Sequence, residues 1–258
     1  MQPPVTSTVR VLTVASSDSG GGAGIQADLK AFARCGVHGM SAVVALTAQN
    51  TVGVSAIHPC PPEFVRAQLD AIFADLPPAA VKTGMLFNEP LIAAVADGLA
   101  GYRGPLVLDP VMIASSGARL LEPDAVDTLV HRLFPQATVV TPNLMEAQAL
   151  TGLDTEDRSR LAEALVAMGA GAALVTGGHG SEPVDHLLAG GEHLRIPVVR
   201  HRRAATHGAG CTHSAALAAC PAGAIHSRWP PGGPRWWPGR PSSTGWSGWG
   251  PATVRWTP

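Results

Sequence analysis

The sequence predicts an α/β fold: a mostly parallel central sheet with helices on both faces. Two observations predict it. Apolar runs of strand length alternate with helical segments of about ten to fifteen residues, which is the pattern of βαβ units. The composition agrees: 46% of the 258 residues are hydrophobic and 14% charged, so much of the chain must be buried.

Taken in order, Val9–Ala15 is an apolar run that ends in Ser-Ser-Asp-Ser-Gly-Gly-Gly, a strand followed by a tight loop. Ala23–Cys35 has helical spacing, with Ile25, Leu29 and Phe32 on one face. Met40–Leu46 and Val52–His58 read as strands. Pro61-Pro62 before Glu63–Leu76 fits a helix with proline in its first turn. Ala80–Met85 is a strand, and Asn88–Leu99 a helix capped by Asn88. Leu106–Met112 is a strand, Pro123–Phe134 a helix and Thr138–Thr141 a strand. Leu144–Thr151 and Ser159–Met168 are helices, and Ala172–Thr176 a strand. Leu187–Val199 reads as a hairpin around Gly190-Gly191, and Cys211–Ala219 starts a last helix. In such folds ligands bind beyond the carboxyl ends of the strands.

Composition also excludes function classes. The apolar runs are too short to span a bilayer, and no basic-then-apolar segment opens the chain. These features predict a soluble cytoplasmic protein that does not enter a membrane. The four cysteines form no CxxC pair and no zinc spacing with the histidines. Net charge is −1 and residues 1–220 hold no long basic run with interleaved aromatics, which argues against nucleic-acid binding.

The chain changes character near residue 220. Residues 1–220 carry 14 Lys+Arg and 19 Asp+Glu, whereas residues 221–258 carry four Arg and no acid. All six tryptophans fall in that tail, with eight prolines and seven glycines. Such a segment suits neither a regular helix nor a central strand. It reads as an interaction tail, a disordered linker, or translation out of frame in a GC-rich gene. The scarcity of lysine in the body (Lys30 and Lys82 alone) favours the last. The domain division is therefore 1–219 and an atypical tail, 220–258.

Several motifs carry chemistry. His207-Gly208-Ala209-Gly210-Cys211 precedes an Ala-rich helix. Glycines there let backbone N–H groups approach an anion, and the helix N-terminus adds partial positive charge. Donors held so stabilise a phosphoryl group in transfer. A thiol at that helix head is expected to have a lowered pKa and to act as base or anchor. A plain Gly-rich loop with a structural cysteine fits the turn equally well. Asp18–Gly24 is a second close-approach loop, without the Lys-Ser/Thr of a Walker A loop. Asp28 follows it, and would ordinarily be a solvated helical carboxylate. Asp109 ends a strand, and Asn143 and Glu146 follow another; such groups can hold hydrated Mg²⁺ beside phosphates, or merely cap a helix. Gln49 could read a heteroaromatic edge or form a turn.

These signals occur together in one order. Ala15-Ser16-Ser17-Asp18, Gly22–Lys30, Ala48–Thr51, Lys82–Leu86, Asp109–Met112, Thr141-Pro142-Asn143 with Glu146, Gly177-Gly178-His179 and Thr206–Thr212 jointly resemble the hydroxymethylpyrimidine/phosphomethylpyrimidine kinases, over about residues 9–219. The resemblance implies a ribokinase-like three-layer sandwich, C-terminally incomplete here. It implies use of ATP and Mg²⁺ to phosphorylate a pyrimidine substrate, 4-amino-5-hydroxymethyl-2-methylpyrimidine, and then its monophosphate, in thiamine biosynthesis. It implies a homodimer, with pyridoxal kinases as near relatives. Gly208, Ala209, Gly210 and Cys211 would form the anion hole, with Cys211 where most of the superfamily has Asp. Gln49 would read the aminopyrimidine, Asp28 would lie near its hydroxymethyl group, and Met85, Val111 and Ser16 would complete the substrate site. Asn143, Glu146, Thr176 and Lys82 would serve ATP and its phosphates, and Asp109 with Glu146 the Mg²⁺, partly through water. Three departures stand out. Ser16 replaces a frequent Gly, and Thr176 replaces a frequent Lys near the ATP phosphates. Cys220-Pro221 is expected to break the last helix after about two turns.

Overall fold

The computed structural model describes residues 8–114, 117, 119–178, 182–199 and 207–224, the last four of these by backbone alone. Six parallel strands form the centre: β1 (Arg10–Ala15), β2 (His38–Val43), β5 (Ala80–Thr83), β6 (Leu106–Leu108), β7 (Val139–Val140) and β8 (Ala172–Val175). Antiparallel β9 (Val184–Ala189) and β10 (Glu192–Pro197) extend one side. The order across the sheet is β10-β9-β8-β7-β6-β5-β1-β2. The chain steps from β1 outward to β2 in one direction and through β5, β6, β7 and β8 in the other. The direction of winding therefore reverses beside β1, the place where open α/β sheets form a crevice.

Side chains alternate across each strand, and the alternation sorts them into two layers. Leu12, Val14, Val81, Leu106, Leu108 and Val140 face one layer: α2 (Pro62–Asp75), α3 (Glu89–Leu99), α4 (Ala125–Leu133), α5 (Leu144–Thr151) and α6 (Arg158–Ala167). Val11, Ala80, Val107, Val139, Ala172 and Leu174 face the other: α1 (Gly24–Arg34) and α7 (Ala209–Ala224). The expected three-layer arrangement is present. Pro62 opens α2, and the Asn88 side chain caps α3 by accepting from the Leu91 N–H at 3.3 Å.

Two expectations need correction. The apolar run Met40–Leu46 is two strands. The chain bends at Val44, whose N–H donates to Ala15, and β3 (Ala45–Gln49) leaves the main sheet to pair with β4 (Val54–Pro59) in a separate antiparallel ribbon. A continuous apolar run carries no mark of a change of partner. The last helix also does not stop at Cys220-Pro221: α7 runs from Ala209 to Ala224. A proline inside a helix removes one donor and crowds the carbonyl four residues earlier, at a cost of about 3 kcal/mol, which tertiary packing of the helix can offset. The small buried residues Ala215, Ala218 and Ala219 seat α7 against the sheet ahead of that point. Residues 225–258, most of the atypical tail, lie outside the described residues, as do His179 and Thr206 of the motifs.

Candidate active site

The two glycine-rich loops meet. Gly208 has φ +77, and a Cβ there would lie 1.8 Å from the Gly22 carbonyl oxygen. At Gly22 a Cβ would lie 2.7 Å from the His207 ring, so each glycine admits the other loop. Asp18 holds the contact together. Its carboxylate accepts from the N–H groups of Gly20, Gly22 and Ala23 at 2.8–2.9 Å and pairs with His207 Nε2 at 2.8 Å. Burial alone would raise the Asp18 carboxyl, but His207 and these donors hold it below its ordinary value. The N–H groups of Ala209, Gly210 and Cys211 head α7 and find no backbone acceptor among the described residues. Both Ala209 and Gly210 are exposed. This is an anion-binding arrangement.

Beneath the turn lies a closed polar network. Thr13 and Lys82 project from β1 and β5 toward the α1/α7 layer. Lys82 Nζ donates to Asp28 Oδ1 and Oδ2 at 3.0 and 2.9 Å, and Thr13 Oγ1 donates to Asp28 Oδ2 at 2.6 Å. Asp109 Oδ2 lies 3.9 Å from Lys82 and accepts from Ser214 Oγ of α7 at 2.7 Å. Asp28 and Lys82 are wholly buried. In this structure the Asp28 oxygens accept from Lys82 and Thr13, and Lys82 is enclosed with them instead of standing at the surface.

Cys211 is also corrected. Burial pushes its thiol up to about 12, with Asp109 and Asp28 adding to the rise and Lys82 only partly opposing it. The helix-head effect expected to lower it is outweighed chiefly by the thiol's own burial.

Asn143 and Glu146 form a reciprocal cap on α5. Glu146 N–H donates to Asn143 Oδ1 at 3.0 Å, and Asn143 N–H donates to Glu146 Oε2 at 2.9 Å. Thr176, just past β8, bridges to Asn143, its N–H donating to Pro142 at 3.0 Å. Glu146 is buried, and burial followed by repulsion from Asp109 pushes its carboxyl up to about 8. Asp109 thus presents a second acidic group to Glu146. Their oxygens suit Mg²⁺, which prefers one or two carboxylates completed by water and phosphate. Among the described residues no cluster of three or more ligands is present.

Other site residues line the same end of the sheet. Ser16 Oγ donates to the Met85 carbonyl at 3.1 Å, and both residues are buried. Val111, in the turn after β6, is half-buried. Gln49 ends β3, and its Oε1 lies 3.1 Å from Thr47 Oγ1, whose hydroxyl donates to the Ser17 carbonyl at 2.9 Å. Sequence reasoning gave no role to Asp18, His207, Thr13 or Ser214. An Asp just before consecutive glycines was the available signal for the first of these.

Fold and site together define a phosphotransferase of the ribokinase-like class, built around a backbone anion hole at a helix head. The comparisons narrow this. The family model described as phosphomethylpyrimidine kinase matches residues 18–225, and the chain belongs to that family. It is 50% identical over 218 residues to a hydroxymethylpyrimidine/phosphomethylpyrimidine kinase of Rhizobium meliloti, covering 82% of each chain. It superposes on the crystal structure of phosphomethylpyrimidine kinase from Clostridium difficile 630 with a TM-score of 0.74 and 39% identity, covering 83% of this chain and 91% of that one. It also superposes on Bacillus subtilis pyridoxal kinase in complex with ADP, with a TM-score of 0.73 and 38% identity, covering 83% and 84%.

Proposed function

We propose that this chain transfers the γ-phosphoryl group of ATP to hydroxymethylpyrimidine, and then to its monophosphate, in thiamine biosynthesis. One observation carries the reading: the free N–H groups of the Gly208–Cys211 turn, held by the Asp18–His207 clasp above buried charges. In a loose phosphoryl transfer, charge spreads over peripheral oxygens, and donors already in place stabilise it without reorganising.

Each residue has a task in this reading. The turn receives the transferring group. Cys211, whose thiol stays protonated at neutral pH, serves as a donor and a wall rather than as a base. A loose transition state asks little of a base. Gln49 offers its amide to the aminopyrimidine, with Ser16, Met85 and Val111 around the ring. Asn143, Glu146 and Thr176 face the nucleotide phosphates. Asp109 and Glu146 would hold Mg²⁺, which supplies charge neutralisation at the phosphates. The reading also takes the chain as a cytoplasmic homodimer, checked by sedimentation of the purified protein. The described residues contain no helix long and apolar enough to cross a membrane.

A second reading, pyridoxal phosphorylation, is favoured by the similarity to the Bacillus pyridoxal kinase. An acceptor screen separates the two. The purified full chain with Mg²⁺ and ATP should release ADP with hydroxymethylpyrimidine and with its monophosphate, and more slowly with pyridoxal. Preference for pyridoxal would reverse the order. A folded chain that releases ADP with none of them would end the catalytic reading. Reading the gene in all frames beyond codon 219 tests the origin of the tail: a Leu/Ala/Glu-rich continuation in another frame supports the frame change.

A further inference from the structure

We infer that Lys82 is a positioning residue: an enclosed ammonium that fixes Asp109 beneath the anion-binding turn and touches no phosphate. The inference rests on the reading above, which places Asp109 at the metal.

The geometry is specific. An ammonium has three protons to donate. Lys82 donates to both Asp28 oxygens, at 3.0 and 2.9 Å, and forms a looser ion pair with Asp109 Oδ2 at 3.9 Å. That oxygen also accepts from Ser214, one helical turn after Cys211. One cation thereby ties α1, β5, the turn after β6 and α7 together. Lys82 is wholly buried, and Gly84 packs so close that a Cβ there would lie 3.0 Å from Lys82 Nζ, so the nitrogen is shut off from solvent. Burial would discharge the lysine, but Asp28 first, with Cys211 and Asp109, outweighs it and keeps the ammonium charged. Without Lys82, Asp28 and Asp109 would face each other uncompensated, and Asp109 would keep Ser214 alone as its anchor.

The test compares Lys82→Met with the double variant Asp28→Leu/Lys82→Met. The double change removes both buried ions and leaves Asp109 with Ser214 alone. For Lys82→Met, kcat should fall about a hundredfold while the KM for ATP stays within about threefold. A tenfold rise in that KM with kcat kept would mean a phosphate contact and overturn the inference. Calorimetry with the ATP analogue AMP-PCP gives a readout apart from turnover. Metal-free affinity should be unchanged, and the gain in affinity on adding Mg²⁺, present in the wild type, should be lost. A wild type without that gain also overturns the inference.

In the double variant, urea stability should recover toward wild type while kcat and the Mg²⁺ gain stay low. If turnover or the gain returns with stability, Lys82 merely neutralises Asp28. Should Lys82→Met alone fail to fold, the double variant carries the same comparison. A wild type that phosphorylates no acceptor ends the functional reading, and the calorimetry then decides on Lys82 alone.

Discussion

The two faces of the central sheet are built from different materials. The face toward α2–α6 is hydrocarbon, with Leu12, Val14, Leu69, Ile92, Leu133 and Phe134 all wholly buried. The face toward α1 and α7 has a smaller apolar cluster and gives its middle to Thr13, Asp28, Lys82, Asp109 and Ser214. Burying such groups costs free energy unless each is paired, and here they pair with one another across four elements. The first face therefore carries stability. The second trades part of its stability for a fixed charge pattern under the α7 head. Changes on the two faces should damage different properties.

The largest effect is expected where the polar face meets its loop. In Gly208→Ala the new methyl group would overlap the Gly22 carbonyl at 1.8 Å and occupy a left-handed conformation. Turnover should fall about a thousandfold or more, since one displaced donor alone costs roughly a hundred- to a thousandfold. Circular dichroism should stay native. Near-normal turnover would mean that the turn does not act on the reacting group.

On the hydrocarbon face, Ile92→Ala should cost about 2–5 kcal/mol in urea unfolding, and leave kcat per folded molecule within about twofold. A matching fall in kcat would show that the two faces are not independent. Cys211→Ala should then lower kcat about a hundredfold while pyrimidine affinity changes by less than about threefold, because the turn serves the transition state. Equal losses in both would contradict the role given to the thiol.

Glu146 lies at the seam between the faces, and its effect depends on pH. Its carboxyl titrates near 8 in the folded state, against an ordinary 4.5, so the native chain keeps a proton that the unfolded chain releases. The stability this contributes is complete below about pH 4.5 and is lost as pH rises through about 8. In metal-free buffer, unfolding free energy should drop across that window by up to about 5 kcal/mol. Glu146→Gln should flatten the drop, and Mg²⁺ should shrink it in the wild type. A wild-type profile already flat without metal would refute the raised value.

The same contrast explains how much was legible in the sequence. The hydrocarbon face announces itself locally, because apolar periodicity and caps such as Asn88 are written within ten residues or so. The polar face is made of pairs far apart in sequence: Asp28 with Lys82, Asp109 with Ser214, Asp18 with His207. Nothing in the neighbourhood of Lys82 distinguishes an enclosed lysine from one that meets phosphate. Similarly, a helix-head cysteine looks activated until the fold buries its thiol and sets two acids near it. The motif order showed that a site exists and where it lies. The internal partners of that site came only from the fold.

The smallest effect is expected at a residue that belongs to neither face. Gln49 ends β3 of the separate ribbon. Its backbone N–H accepts no freedom there: it donates to Ser19 Oγ at 2.8 Å, and Ser19 Oγ donates back to the Gln49 carbonyl at 2.7 Å. The Thr47 hydroxyl beside it donates its one proton to the Ser17 carbonyl at 2.9 Å, so the Gln49 amide keeps capacity to meet a heteroaromatic edge. Gln49→Leu should raise the KM for the pyrimidine about tenfold and leave kcat within about twofold, the pattern of a contact made equally in ground and transition states. Thr47→Val, which frees the amide to rotate without deleting it, should raise that KM less. A KM unchanged by Gln49→Leu would remove the ribbon from substrate recognition and confine the site to the polar face and its two loops.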